Sequence, residues 1–490
     1  MRHKIQQLAK DTALYGLSTI LGRFLNFILV PFYTNIFPPS DYGIITNLYS
    51  YMAIFNIVFI YGMDSSYLKF AALSEYKGDK KVFSTTFISV AVTTVLFSLF
   101  LMLFKDSAAE FVGSSEHYSS LITYSVIILG LDALSVLPFL HLRLENRIKK
   151  FSVLKIGNIL INISLNIILI IGLKQGIEAV LISNAVASLV TLLFLLPEIK
   201  SNLVFRKDTA LLRRIVTFGL PYLPGGMAAM LLQVINRPII QLLAGLSVLG
   251  VFQASYRLGV FMMLFVMMFQ YAWQPFFLQN AEEPDSDKLF AKIFTYFTIT
   301  GTTILVSLSL FVDDLARLQV MGRSFIGQQY WGGLDIVPII LLAYLFYGFY
   351  VNFSAGIYIK EKSTVVPLIM FIGAVVNVAS NFTLIPILGM TGAALSTLLS
   401  YMVIAVGFFV ATRRIFTVPY EYGRLARILA VLLITGSAFY VLKSQGMLNI
   451  PIKVILLLFY FTGLVISGAV QKREAGMLIE ALTSKLRRRR

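Results

Sequence analysis

The chain has 490 residues, 58% of them hydrophobic and only 13% charged, with a mean hydropathy of +0.81. Soluble domains carry roughly 25% charged residues, so a water-soluble globular protein is excluded and an all-α polytopic membrane protein is expected. With no cysteine, disulfides, nucleophilic thiols and palmitoylation are excluded as well, and the presence of only His3, His117 and His141 argues against a His-rich metal site.

Apolar runs of about 20 residues, enough to cross roughly 30 Å of hydrocarbon, predict fourteen transmembrane helices. They are placed at 12–37, 42–70, 82–104, 119–143, 151–173, 176–198 and 215–245, then at 247–280, 288–312, 334–359, 363–387, 390–412, 424–443 and 449–471. The basic start MRHKIQQLAKD leads into a long apolar run without a small-residue cleavage site, which reads as an uncleaved first span. Phe37-Pro38-Pro39-Ser40-Asp41 is expected to be a tight external turn, with Asp41 capping the second helix.

The net charge of +17 sits in loops, which argues against nucleic acid. With the N-terminus in the cytoplasm, and cations near the span ends counted with the adjoining loop, 32 of the 41 Lys and Arg fall on the inside, 6 on the outside and three, Arg23, Arg237 and Arg257, within spans. That asymmetry places both termini in the cytoplasm. The acidic loop Glu282 to Asp287 is also assigned inside, and acidic residues contribute little to the rule. The tail ending KLRRRR is expected to rest on anionic lipid.

The chain repeats itself. Tyr15-Gly16-Leu17 stands for Phe218-Gly219-Leu220. From Pro31 onward an offset of 207 relates Pro31 to Pro238, Gly43 to Gly250, Tyr49 to Tyr256, Lys81 to Lys288, Phe83 to Phe290 and Phe87 to Phe294. Later, Asn162 and Asn166 match Asn377 and Asn381 at 215, and GIEAVLIS at Gly176 matches GMTGAALS at Gly389. Two six-helix lobes are expected, 1–205 and 206–417, followed by a helix pair at 418–472 and a basic cytoplasmic tail at 473–490. Duplicated helical halves point to a transporter with a shared central path.

A charge kept at membrane depth costs from about 2.5 to above 10 kcal/mol, so it marks a site. Arg23, Arg237 and Arg257 are the basic candidates, and a guanidinium suits a partly desolvated phosphate. Asp132 and Asp64 are candidates for coupling or for helix pairing, and the arginines have the same structural alternative. Asn158, Asn162 and Asn166 share one helix face, and Asn377 and Asn381 follow the same spacing. Such amides pair helices or ligate a cation. Pro221, Pro224, Gly225 and Gly226 predict a bend at the start of the seventh helix, either a hinge or a static kink. The chain shows no phosphate-cradling loop, no HExxH and no GxSxG, and the external stretch 313–333, with Asp313, Asp314, Arg317 and Arg323, is too short for a soluble catalytic domain. No catalytic residue, resident metal or cofactor is expected.

KDTALYGLSTILGRFLNFILVPFYTNIFPPSDYGIITNLYSY, FGLPYLPGG, INR, LGVFQASYRLG and GMTGAALST together resemble the Wzx-type polysaccharide flippases of the multidrug/oligosaccharidyl-lipid/polysaccharide exporter superfamily. The resemblance implies two lobes around a V-shaped cavity and alternating access. The implied cargo is an undecaprenyl-pyrophosphate-linked oligosaccharide, carried from the inner to the outer leaflet of a bacterial cytoplasmic membrane. Related lipid II flippases use cavity arginines on the first, second and eighth helices. Arg23 and Arg257 match two of these, whereas helix two offers Tyr49, Ser50 and Tyr51, so Arg237 is expected to substitute. Some relatives hold sodium between helices seven, eleven and twelve; Asn236, Asn377, Asn381 and Thr397 fall there without the acid, and a proton at Asp132 is the rival to Na+. Membrane lipids, a polysaccharide polymerase and glycosyltransferases are the implied partners. The alternative functions are a cation-coupled multidrug exporter of the same superfamily and, further off, a membrane polysaccharide polymerase or ligase.

Overall fold

The computed structural model describes residues 27–76, 79–113, 119–204, 208–320, 322–360, 362 and 364–471. Arg23, most of the first expected span, His117 and the basic tail lie outside the described residues. The remaining chain is helical apart from a two-stranded ribbon, Gln319–Val320 with Arg323–Ser324.

The helices follow the apolar runs. After α1 (27–34) come α2 (Pro39–Ile60), α3 (Met63–Ala72), α4 (Lys80–Leu103), α5 (Lys105–Phe111), α6 (Ser119–Leu144), α7 (Ile148–Ile167) and α8 (Glu178–Asn202). The second half holds α9 (Thr209–Gly219), α10 (Tyr222–Val234), α11 (Asn236–Ala244), α12 (Leu246–Leu258), α13 (Val260–Asn280), α14 (Ser286–Arg317), α15 (Val337–Ile359), α16 (Val365–Leu388) and α17 (Met390–Ile415). The chain ends in α18 (Tyr422–Ser444) and α19 (Ile450–Ile466). Among the described residues twelve helices are long and apolar enough to cross a membrane, and α19 is a shorter apolar one. Their outward faces are apolar: Leu96, Leu99, Phe100 and Leu103 on α4 and Leu429, Leu433 and Ile434 on α18 are exposed, as a lipid-facing surface requires.

Three expected single helices are broken. The second stops at Tyr61 and Gly62, both at positive φ, 36° and 79°. At Gly62 a Cβ would stand 2.0 Å from the carbonyl oxygen of Gly219, so only glycine lets α3 and α9 meet there. The seventh is interrupted at Leu220-Pro221 and at Ile235, and the eighth divides at Gly259. Apolar composition runs straight through these breaks, which is why the periodicity missed them. Asp41 does not cap α2. The cap position is Pro38 with Pro39 opening the helix, and the Asp41 carboxylate accepts from Ser40 Oγ at 3.3 Å.

By contacts the chain divides into two compact units. The first, residues 1–257, 320–333 and 370–400, contains a close crossing of α2 and α12. A Cβ on Gly43 would lie 2.0 Å from the Leu246 carbonyl oxygen, and one on Gly250 would lie 1.9 Å from that of Pro39. Gly43 and Gly250 are repeat mates at the offset of 207, as are positions 39 and 246, so the crossing is symmetric about the duplication. In the same unit the segment 320–333 straps the end of α1. Asn35 Nδ2 donates to the Ser324 carbonyl at 2.7 Å, Gly327 N to Thr34 Oγ1 at 3.2 Å, and Tyr330 OH to the Phe37 carbonyl at 2.8 Å.

The second unit, residues 258–319, 334–369 and 401–490, contains the last helix pair. α18 and α19 pack Ile428, Leu456, Tyr460 and Leu464 on Val306 and Leu310 of α14, and Tyr460 OH donates to Thr302 Oγ1 at 2.8 Å. α14 runs on to Arg317, which shortens the expected external loop and puts Asp313 and Asp314 in its last turns. There Asp314 pairs with the buried Lys453, and Lys443 pairs with Asp313 and Asp335.

Candidate functional site

In the first unit α1, α2, α7, α8, α11 and α12 line a cavity of about 310 Å³. That is about ten water volumes and near the lower end of the usual range for ligand pockets. Its two cationic groups are Arg237 on α11 and Arg257 on α12, and none of its described lining residues is acidic. Arg237 donates to Ser50 Oγ at 3.2 Å. Tyr42 lies within electrostatic reach of both guanidiniums. The cavity is therefore electropositive, and in a low-dielectric surrounding that field selects an anion.

The facing wall is neutral and polar. Asn158 Nδ2 donates to Thr191 Oγ1 at 2.9 Å, Asn162 Oδ1 accepts from Asn166 Nδ2 at 2.8 Å, and Asn184 Nδ2 donates to Tyr49 OH at 3.0 Å. Asn166 in turn accepts from Tyr33 OH at 2.8 Å. Each amide is thus fixed by one neighbour before any ligand arrives, which is preorganisation in the ordinary sense. Asn158, Asn162, Asn184, Tyr33 and Tyr49 all line the space, and so does Gln253 of α12.

The other candidate residues go elsewhere. Asp132 on α6 and Asp64 in the first turn of α3 do not line the cavity. Asp132 accepts from Ser188 Oγ at 2.7 Å and lies within electrostatic reach of Lys155, whose Nζ stands 4.2 Å over the Phe139 ring. Asn236, Asn377, Asn381 and Thr397 do come together. Asn236 Nδ2 donates to Thr397 Oγ1 at 2.7 Å, and Asn381 Nδ2 donates to Asn236 Oδ1 at 2.8 Å and to Asn377 Oδ1 at 3.0 Å. The Asn236 and Asn377 side-chain carbonyls are thereby spent on Asn381. Pro221 caps the start of α10, with Pro224, Gly225 and Gly226 inside its first turns. Arg23 lies outside the described residues.

Gln253, Asn184, Tyr33 and Tyr42 were not singled out from the sequence, because one amide or phenol in an apolar run leaves no periodic mark. Lys155 carried a usable signal, a lone cation a full turn inside an apolar helix.

Many apolar helices with a polar, cationic cavity among them, in a chain with an internal repeat, define a membrane transporter of the flippase and exporter class. The chain belongs to the polysaccharide biosynthesis protein family of the multidrug/oligosaccharidyl-lipid/polysaccharide exporter superfamily, since that family matches residues 8–281, more than half of its length. No curated protein sequence matches it. Among solved structures it is similar to the lipid II flippase MurJ in an inward closed conformation, at 13% identity and a TM-score of 0.74, over 94% of this chain and 99% of that one. A multidrug resistance MATE family transporter in an inward-facing conformation is similar at 15% identity and a TM-score of 0.66, over 80% and 94%. The Vibrio cholerae MATE transporter VcmN D35N mutant is similar at 15% and 0.52, over 84% and 96%. At these identities the likeness establishes the fold.

Proposed function

We propose that this protein flips a polyprenyl-pyrophosphate-linked oligosaccharide from the inner to the outer leaflet of a bacterial cytoplasmic membrane, by alternating access, for surface polysaccharide synthesis. The observation that carries the proposal is the pair Arg237 and Arg257 on a cavity whose described lining has no acid. A pyrophosphate meets two guanidinium forks there in a shielded space, where charge-assisted hydrogen bonds are strong. Family membership and the likeness to MurJ support the reading. The likenesses to MATE transporters keep a multidrug exporter as the second reading, but a cationic drug would be repelled by two arginines.

The same proposal takes fourteen spans, two lobes dividing near residue 205, both termini in the cytoplasm, Arg23 as a third phosphate contact, a transport rather than an enzymatic role, and a polymerase and glycosyltransferases as partners. For coupling we favour H+ at Asp132 over Na+ at the Asn236 cluster, because the cluster has no acid and the Asn236 and Asn377 side-chain carbonyls already accept from Asn381 Nδ2, which leaves Asn381 Oδ1 as its one unpartnered amide oxygen. The region of Pro221, Pro224, Gly225 and Gly226 would absorb the motion. The test is Arg237→Ala and Arg257→Ala in the native host. Surface polysaccharide should be lost while membrane protein levels hold, and normal polysaccharide in both variants would remove the proposal.

A further inference from the structure

Arg237 lies at a weak point of its own helix. Pro238 follows it and brings no backbone N–H, and the break between α10 and α11 falls at Ile235, two residues before it. A helix interrupted in this way does not by itself hold one side chain in place. The ties come from neighbouring helices. On one side the Arg237 guanidinium donates to Ser50 Oγ of α2 at 3.2 Å, and that hydroxyl is itself oriented by donating to the Thr46 carbonyl at 2.8 Å. On the other side the preceding residue, Asn236, donates through Nδ2 to Thr397 Oγ1 of α17 at 2.7 Å and accepts through Oδ1 from Asn381 Nδ2 of α16 at 2.8 Å. The Thr397 hydroxyl donates in turn to the Ala393 carbonyl at 3.0 Å. Ser50, Asn381 and Thr397 are buried, and neither they nor Asn236 line the cavity.

We infer that Ser50, Asn236, Asn381 and Thr397 are positioning residues for Arg237: a clamp from α2 on one side and from α16 and α17 on the other fixes the first turn of α11, so that the guanidinium is aimed at the phosphates before they arrive. This rests on the flippase reading above, and it gives the amide cluster a task other than holding a cation. Three helices far apart in sequence converge on two consecutive residues, and each of these ties has a buried partner, where water competes poorly for the bond. The chemistry of the ties also fits. Ser50 is a neutral acceptor, so it orients the guanidinium without neutralising it. A carboxylate in its place would hold the arginine more tightly and cancel the charge that an anionic cargo needs. Asn236 likewise anchors the turn through an amide, beside Arg237 and without an opposing charge. Orientation fixed in advance lowers the ordering cost of binding.

The test uses the full-length protein in nanodiscs, with farnesyl pyrophosphate as the probe and empty nanodiscs as the blank. Thr397→Val, which keeps the shape and removes the hydroxyl, should lower the affinity about tenfold, the effect of one ordinary hydrogen bond, and so should Ser50→Ala. Thr397→Ser, which keeps the hydroxyl, should bind as the parent does. In an Arg257→Ala background both losses should persist. In an Arg237→Ala background both should vanish, whereas a role in general packing would lower the affinity equally in the two. Parent affinity in both Thr397→Val and Ser50→Ala, a Thr397→Ser as weak as Thr397→Val, or undiminished losses in the Arg237→Ala background overturns the inference. Probe binding left intact by both Arg237→Ala and Arg257→Ala removes the flippase reading and the inference with it; binding lost in those two but unmoved by Ser50→Ala and Thr397→Val removes the inference alone.

Discussion

Gly43→Ala makes the sharpest test of how the cavity is closed. At the crossing of α2 and α12 the new methyl would sit 2.0 Å from the Leu246 carbonyl oxygen and 3.3 Å from the Gly250 nitrogen, whereas real Cβ contacts essentially never fall under 3.0 Å. The obstacle is backbone, so a rotamer change cannot relieve it, and the helices must part by about 1 Å or more. Overpacking of this kind costs about 1–3 kcal/mol, which corresponds to a shift of about 5- to 150-fold between two conformations. On the proposed orientation, with both termini in the cytoplasm, the crossing would lie on the outer side, next to the cavity residues Tyr42 and Thr46, and the shift would favour the outward-open state. The chain has no cysteine, so Thr46→Cys is a clean reporter for a membrane-impermeant maleimide applied from outside. Labelling should accelerate by about 5-fold or more in Gly43→Ala, and Gly250→Ala, its repeat mate, should do the same. Gly157→Ala should change nothing, since its Cβ would meet no atom within 4 Å. Equal labelling rates in the parent and in Gly43→Ala, with equal inserted protein, would refute the reasoning.

Three further outcomes are expected. Oxidising the pair Asn35→Cys and Ser324→Cys, whose parent side chain and carbonyl are 2.7 Å apart, should arrest flipping and reduction should restore it; activity unaffected by the crosslink would show that the strap need not leave. Tyr460→Phe removes the hydrogen bond to Thr302 inside the second unit and should cost about 0.6 kcal/mol, the average for interhelical bonds in membranes, seen as a small fall in melting temperature; no fall at all would show that the bond contributes nothing. Replacing Na+ by K+ should leave the thermal stability of the purified protein unchanged, whereas Asp132→Asn should make flipping in vesicles insensitive to an imposed proton gradient; sodium-dependent stabilisation, or an intact proton response, would reverse the choice of coupling site.

Long apolar runs determine helix positions well in this chain: α4 was expected at 82–104 and occupies Lys80–Leu103, and α17 was expected at 390–412 and occupies Met390–Ile415. Breaks were less legible. Only the one at Leu220-Pro221 carried a mark, in Pro221 and the small residues after it, while Tyr61-Gly62, Ile235 and Gly259 interrupt helices without any change in composition. The repeat identified Gly43 and Gly250 as partners, but no pattern in one dimension says that equivalent positions touch. In the site, Arg237, Arg257, Asn158 and Asn162 were visible because polar groups at membrane depth are expensive. The four residues Asn236, Asn377, Asn381 and Thr397 also proved to be neighbours. Gln253, which lines the same space, was not visible, because a single amide in an apolar run leaves no periodic mark.

The seating of α18 and α19 has a consequence for how the chain can be shortened. Lys443 and Lys453 neutralise Asp313, Asp314 and Asp335, so a protein cut after residue 417 would bare a trio of negative charges at one end of α14 and strip the apolar stripe beside it. Twelve helices therefore do not amount to this protein minus an accessory. A viable shorter version would need new residues at those three acids and along Val306 and Leu310, which makes the terminal hairpin a fixed part of the second unit's architecture.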